Sequence, residues 1–128
     1  KYERKEISKS EGGVAIGLPL VILTDGGTAS ASEVVTGALK DYNAAVTVGT
    51  TTFGKGVVQL PFELKSGIGG LKVTVSKYYT PKGEDINKKG IIPDYEVKLT
   101  EEDVNKDYSK DTDPQLQKGI EVIKDMIK

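Results

Sequence analysis

The sequence predicts an α/β fold, and three observations predict it. A short apolar run, Pro19–Thr24, precedes a helix signal and a second short strand, Val46–Val48. Two longer β patterns, Val57–Leu64 and Leu71–Tyr79, are joined by a glycine-rich loop, and a helical apolar repeat ends the chain. Strand–helix–strand order indicates a parallel βαβ unit with a right-handed crossover. We expect a mixed sheet containing this unit, together with a β-hairpin and a C-terminal helix.

The first elements follow from apolar patterning. Residues 1–9 weakly indicate an exposed strand, and Glu11-Gly12-Gly13 indicates a turn. Pro19–Thr24 is continuously apolar, which is typical of a strand buried on both faces. Asp25-Gly26-Gly27 ends that strand. The helix after it is predicted to bury one face, formed by Val34, Val35, Ala38, Leu39 and Tyr42.

The later elements alternate strands with turns. In Leu71–Tyr79 the apolar residues alternate with polar ones, so one face of this strand is expected to meet solvent. Turns are predicted at Thr80–Gly83 and Gly90–Asp94, and a short strand at Tyr95–Leu99. Residues 101–113 form a polar surface linker in this prediction.

The final helix has a clear start signal. Asp113 and Pro114 are favourable N-cap and first-turn residues. The apolar stripe that the helix is predicted to bury consists of Leu116, Ile120, Ile123 and Ile127.

The composition excludes several classes of function. Eighteen basic and nineteen acidic residues leave a net charge of −1, so no general field favours nucleic acid or an acidic membrane. No apolar run approaches the roughly 18 residues that span a bilayer, and no signal peptide is recognised. The chain has no histidine and no cysteine, so a structural zinc site is not expected. Any nucleophile must use a base other than imidazole.

Ser30 is the first candidate nucleophile. It follows a predicted buried strand and opens a helix, where the helix dipole stabilises developing negative charge. The amide of the next residue, Ala31, is then a candidate oxyanion donor. Ser30 and Glu33 also form a capping box, and serines in this motif usually only cap a helix.

Lys55 is the candidate base, 25 positions after Ser30. Glycines flank it in a loop that enters a strand, and Gln59 lies four residues on, where its side chain can orient the amine. To act as a base Lys55 must be uncharged near neutral pH, which costs about 4–5 kcal/mol of desolvation or repulsion. Most lysines in such loops are simply solvated.

The segment Gly49–Lys55 also satisfies the phosphate-cradling pattern G-x-x-x-x-G-K. The residue after the lysine should be Ser or Thr, but it is Gly56, and the next element is predicted to be a strand rather than a helix. Nucleotide binding is therefore a minor alternative.

Five segments together resemble peptidase family S41, the carboxy-terminal processing or tail-specific serine proteases. They are Thr24–Glu33, Ala38–Tyr42, Thr52–Gln59, Tyr78–Gly83 and Gly90–Asp94. The resemblance implies that Ser30 is the nucleophile, Lys55 the general base and Gln59 the residue that orients it. It also implies that the Ala31 amide is one oxyanion donor and that Asp41 is a supporting, structural residue.

The resemblance further implies part of a ClpP/crotonase-like spiral core, with residues 1–128 as one truncated domain. The family's PDZ domain and upstream core, which carries a second oxyanion donor, are absent from the sequence. The implied substrates are proteins with extended, apolar C-terminal tails, cut outside the cytoplasm or in the thylakoid lumen, without a cofactor. A non-catalytic peptide-binding scaffold remains the alternative.

Overall fold

The computed structural model describes residues 11–65, 67–106, 109 and 111–128. The strand predicted over residues 1–9 lies outside these ranges. The described residues form five strands and three helices in the order β1 (Val21–Thr24), α1 (Ala31–Asp41), β2 (Val46–Gly49), β3 (Val57–Glu63), β4 (Gly70–Lys77), β5 (Tyr95–Glu96), α2 (Glu101–Asn105) and α3 (Pro114–Ile127). The α/β class is confirmed.

The strands form two sheets. Strands β1, β2 and β5 make a parallel sheet in the order β1-β2-β5, in which Val21 lies opposite Val46. Strands β3 and β4 form a separate antiparallel hairpin. The predicted βαβ unit and hairpin are therefore present, but the described strands are divided between two sheets rather than joined in one mixed sheet.

Helices α1 and α3 cover opposite faces of the parallel sheet. A Cβ atom at Gly119 of α3 would lie 3.1 Å from Leu23 Cδ2 and 3.5 Å from Val21 Cγ1, so these β1 side chains face α3. Thr47 of β2 is paired with Ile22, which lies between Val21 and Leu23 in β1. Because side chains alternate along a strand, Thr47 points to the face opposite α3. On that face Lys40 Nζ of α1 donates to Thr47 Oγ1 at 3.3 Å.

Strand β1 is more exposed than predicted. Leu20 and Leu23 are 40% and 39% exposed, so the prediction of a strand buried on both faces is wrong for the described chain. The reason is topological. Strand β1 pairs with β2 along one edge, and no other described strand lies along its second edge.

The buried face of α1 also differs from the prediction. Three residues of the predicted apolar face are exposed: Val34, Val35 and Tyr42. The buried positions of the helix are Glu33, Thr36 and Gly37. A Cβ atom at Gly37 would lie 3.1 Å from Thr80 Cγ2, which shows how closely this face approaches the loop after β4. The buried side of α1 is therefore the side with polar and small residues, not the side with most apolar residues.

The hairpin has a bulge where it meets the body of the molecule. The pairing register shifts between Val58 and Gln59, and beyond the shift Leu60 lies opposite Val73. Leu71 and Val75 are about half exposed. The alternating pattern therefore predicted the strand correctly, but its apolar face also meets solvent.

The C-terminal region differs from the prediction in two respects. Strand β5 is shorter than predicted, and the polar segment 101–113 contains the short exposed helix α2, which is capped by the side chain of Thr100. Asp113 caps α3 as predicted, accepting a hydrogen bond from the Gln115 amide at 2.8 Å.

The buried stripe of α3 is shifted from the predicted one. Its buried residues are Gln115, Gly119 and Val122, whereas Ile127 is 68% exposed. The predicted Leu116, Ile120 and Ile123 flank this stripe and are half-buried. Within the described ranges, no helix has the length and apolar character needed to cross a membrane.

Candidate active site

A tight turn delivers the chain from β1 to the start of α1. One carboxylate oxygen of Asp25, Oδ1, accepts hydrogen bonds from the amides of Gly27 and Thr28, each at 2.9 Å. The carbonyl of Thr28 in turn accepts the Phe53 amide at 2.9 Å, which joins this turn to the loop after β2. The turn therefore places the first residue before α1 beside that loop.

Ser30 occupies this position in a strained backbone conformation. Its φ and ψ are 59° and −117°, a region that glycine adopts readily and other residues rarely do. Such strain costs about 1–3 kcal/mol and tends to persist where it has a functional use. Ala31 is the first residue of α1, so its amide lies at the positive end of the helix dipole.

Glu33 connects the start of α1 to the Lys55 loop. Its side chain is completely buried. Oε2 accepts the amides of Ser30 at 2.9 Å and Lys55 at 2.8 Å. Oε1 accepts the Gly54 amide at 2.7 Å and the Thr52 hydroxyl at 2.5 Å. The capping box noted in the sequence is thus part of a hydrogen-bond network that joins the β1–α1 turn to the loop between β2 and β3.

The carboxylate of Glu33 is held in its charged form. Burial raises its pKa, but the hydrogen bonds from Thr52 and from the amides of Lys55, Gly54 and Ser30 more than offset this and lower the pKa below its usual value. A buried negative charge therefore lies directly beneath the candidate site, satisfied by four donors.

The Lys55 loop is packed tightly against the chain around residue 90. Gly54 has a φ of +85°, and a Cβ atom there would lie 2.8 Å from the amide nitrogen of Gly90. The loop then enters strand β3 rather than a helix. Because the Gly54 and Lys55 amides already bond to Glu33, the arrangement does not match a phosphate-cradling loop, whose lysine begins a helix.

Four of the five predicted site residues line one cleft of about 380 Å³. They are Ser30, Ala31, Lys55 and Gln59. Ser30, Lys55 and Gln59 are half-buried, and Ala31 is exposed. The cleft is thus lined by a serine, a lysine and the first residue of a helix, whose hydroxyl, amine and backbone amide are the kinds of group that attack a carbonyl carbon, move a proton and stabilise an oxyanion.

Gln59 reaches this cleft from β3. Its Nε2 donates to the Thr74 hydroxyl on the neighbouring strand at 3.2 Å. This bond holds the side-chain amide across the hairpin and leaves its carbonyl oxygen as an acceptor for an amine.

Asp41 lies apart from the cleft, at the C-terminal end of α1. Its Oδ2 accepts the Lys82 amide at 2.8 Å. Hydrogen bonds from Thr80 and from the Lys82 amide lower its pKa. Asp41 thus joins the end of the helix to the turn at residues 80–83.

Tyr78 is a site residue that the sequence did not single out. Its hydroxyl lies within hydrogen-bond distance of the carbonyl oxygens of Lys55 and, at 3.2 Å, of Ser30, and these two oxygens share its single proton. Burial and the negative charge of Glu33 raise the pKa of Tyr78, so the hydroxyl keeps its proton. The sequence signals were its place at the end of an alternating strand and at the start of the family-like segment Tyr78–Gly83. Neither reveals a contact with residues 23 and 48 positions away.

Comparison with known proteins gives consistent matches. Residues 1–97 match the model of peptidase family S41. The chain is 51% identical over 90 residues to the "Carboxyl-terminal-processing protease" of Synechocystis sp., covering 70% of this chain and 21% of that protein. It is 47% identical over 93 residues to "Carboxyl-terminal-processing peptidase 2, chloroplastic" of Arabidopsis thaliana, covering 71% and 18%.

A solved structure, "Photosystem II D1 C-terminal processing protease", aligns with a TM-score of 0.60 and 50% sequence identity, covering 64% of this chain and 21% of that one. The chain therefore spans about a fifth of the length of these proteins.

Proposed function

The chain belongs to peptidase family S41, and from this membership we propose that it supplies the catalytic side chains of a serine endopeptidase. Ser30 is the nucleophile, Lys55 the general base, and Gln59 orients the Lys55 amine. The Ala31 amide is one oxyanion donor. The observation that carries the proposal is the strained Ser30, held at a helix start in the same cleft as Lys55.

The reaction follows from these positions. The uncharged amine of Lys55 takes the proton of the Ser30 hydroxyl as Oγ bonds to the scissile carbonyl carbon. The carbonyl oxygen becomes an oxyanion that accepts a hydrogen bond from the Ala31 amide. When the C–N bond breaks, the Lys55 ammonium gives its proton to the leaving amine. Water then hydrolyses the acyl-enzyme: Lys55 takes the proton of the water and returns it to Ser30.

The general base and the oxyanion donor each contribute a known range of rate acceleration. A general base of this kind accelerates a reaction by about 100- to 10,000-fold. One oxyanion donor contributes about 100- to 1,000-fold, and a second donor is expected from a part of the protein outside this chain. We further propose that the substrates are proteins with extended, apolar C-terminal tails, cut outside the cytoplasm or in a lumen. The names of the relatives support processing at C-termini.

The test uses the full-length protein that contains this chain and a peptide substrate with an apolar C-terminal tail. Ser30→Ala should abolish turnover and labelling by a serine-directed fluorophosphonate, whereas Ser32→Ala, which changes an exposed serine two residues on, should affect neither. Lys55→Met should also abolish turnover, with Lys65→Met in the exposed hairpin loop as its control.

Two results would reject the assignment. Turnover that survives Ser30→Ala excludes Ser30 as the nucleophile. Binding of the peptide without cleavage or labelling in the unmodified protein supports the scaffold alternative instead.

A further inference from the structure

The position of Tyr78 is fixed by its own backbone. The residue directly follows β4, and its amide donates to the carbonyl of Gly56 at 3.1 Å, which extends the hairpin ladder by one bond. From there the side chain reaches back beneath the cleft, where its hydroxyl contacts the carbonyls of Ser30 and Lys55. A residue on the hairpin thus contacts the backbone of both reacting residues.

The contact with Ser30 has a geometric consequence for Ala31. The carbonyl of Ser30 and the amide of Ala31 belong to one planar trans peptide unit, so they point in opposite directions. The Ser30 carbonyl accepts the Tyr78 hydroxyl at 3.2 Å and the amides of Glu33 and Val34 at 2.9 and 3.0 Å. Whatever fixes this carbonyl also fixes the direction of the Ala31 N–H group.

Tyr78 and Glu33 act on different groups of the same two residues. Glu33 accepts the amides of Ser30 and Lys55, and the carbonyls of the same two residues share the single hydroxyl proton of Tyr78. Each residue is therefore held on both sides. Because a carboxylate only accepts and a protonated phenol here donates, neither side chain replaces the other.

We propose that Tyr78 is a positioning residue of the peptidase reaction, whose hydroxyl aims the Ala31 amide at the developing oxyanion and holds Ser30 and Lys55 at a fixed separation. The inference rests on the proposed function. Tyr78 acts through the backbone of other residues, so its loss should weaken binding of the transition state more than binding of the substrate.

The test is Tyr78→Phe in the full-length protein, which removes the hydroxyl and keeps the ring. We expect kcat to fall about 10- to 100-fold, because misdirecting a donor costs somewhat less than removing it. KM should stay within about threefold of its original value. Affinity for a peptide aldehyde, which forms a tetrahedral hemiacetal with the serine hydroxyl, should fall by about the same factor as kcat.

A matched control and a rescue separate positioning from mere stability. Tyr79→Phe removes the hydroxyl of the next residue, which is 56% exposed and is absent from the lining of the Ser30 cleft, and should leave kcat and aldehyde affinity unchanged. Replacement of Tyr78 by para-aminophenylalanine restores a donor at nearly the same place and should recover most of the lost kcat. The rescue also decides the question if Tyr78→Phe folds poorly.

Three outcomes would overturn the inference: a kcat for Tyr78→Phe within about twofold of the original, an unchanged aldehyde affinity, or no recovery with the amino analogue. Ser30→Ala measured in parallel distinguishes failure of the proposed function from failure of the positioning role alone. If it still turns over substrate, the proposed function fails. If it is inactive while Tyr78→Phe is fully active, only the positioning role fails.

Discussion

The amide nitrogens of Ser30 and Lys55 donate hydrogen bonds to a single atom, Oε2 of Glu33, at 2.9 and 2.8 Å. The two nitrogens can therefore be no farther apart than the sum of these distances. Residues 25 positions apart in sequence are thus held together by one buried carboxylate, and any change to that carboxylate should affect both.

We predict that Glu33→Gln lowers the free energy of unfolding by about 1–3 kcal/mol, because an amide NH₂ would replace one of the two accepting oxygens and leave buried donors unsatisfied. Urea denaturation of the two proteins measures the difference. Glu63→Gln, which changes an exposed carboxylate at the end of β3, is the control and should be neutral. Equal losses in both variants would contradict a special role for Glu33.

The lowered pKa of Glu33 predicts the direction of its pH dependence. A carboxyl group with a lower pKa in the folded state contributes stability that is fully present above its ordinary pKa, 4.5. This contribution is lost as the pH falls through the folded-state pKa. Between about pH 3 and 6, the unfolding free energy should therefore change less steeply in Glu33→Gln than in the original protein.

Some dependence on pH will remain in the variant, because other carboxyl groups have lowered pKa values: Asp41, Asp85, Asp94 and Asp103. Identical slopes for the two proteins would show that folding does not lower the pKa of Glu33.

The strained backbone at Ser30 predicts a trade between stability and activity. Ser30→Gly should raise the free energy of unfolding relative to Ser30→Ala by about 1–2 kcal/mol, because glycine adopts φ 59° and ψ −117° without a Cβ clash. Both variants should be inactive. Calorimetry or chemical denaturation compares them, and an alanine variant as stable as the glycine variant would show that the conformation stores no strain.

The packing of Gly54 predicts that Gly54→Ala strongly destabilises the protein. The φ of +85° disfavours a side chain, and the new Cβ would lie 2.8 and 2.9 Å from the backbone nitrogens of Gly90 and Lys89. Because the obstacle is backbone, relief requires moving the Lys55 loop, so turnover should fall as well. Gly13→Ala, where no atom lies within 4 Å, is the control. Similar melting temperatures for the two variants would contradict this prediction.

The sequence predicted well what depends on local pattern. The hairpin, the βαβ unit and the Asp113 cap of α3 follow from apolar periodicity, turn residues and capping chemistry. Four candidate site residues, read from motif spacing, line one cleft. Their chemical roles remain predictions.

The sequence predicted less well the features that depend on contacts between residues far apart in the chain. The buried side of α1 is its polar side, because Glu33 bonds to a loop some 20 residues later and Gly37 admits Thr80. No helical period reveals such partners. Tyr78 was missed for the same reason, since its donation to Ser30 exists only after the hairpin has folded back onto α1.

The bulge between Val58 and Gln59 has a practical consequence for protein engineering. Side chains alternate along a strand, so inserting one residue between Lys55 and the bulge would turn Gln59 away from the cleft that it lines. At the opposite end of the hairpin, Gly67 and Ile68 are exposed. Fluorophores, affinity tags or longer linkers grafted at that tip should leave the reactive groups undisturbed.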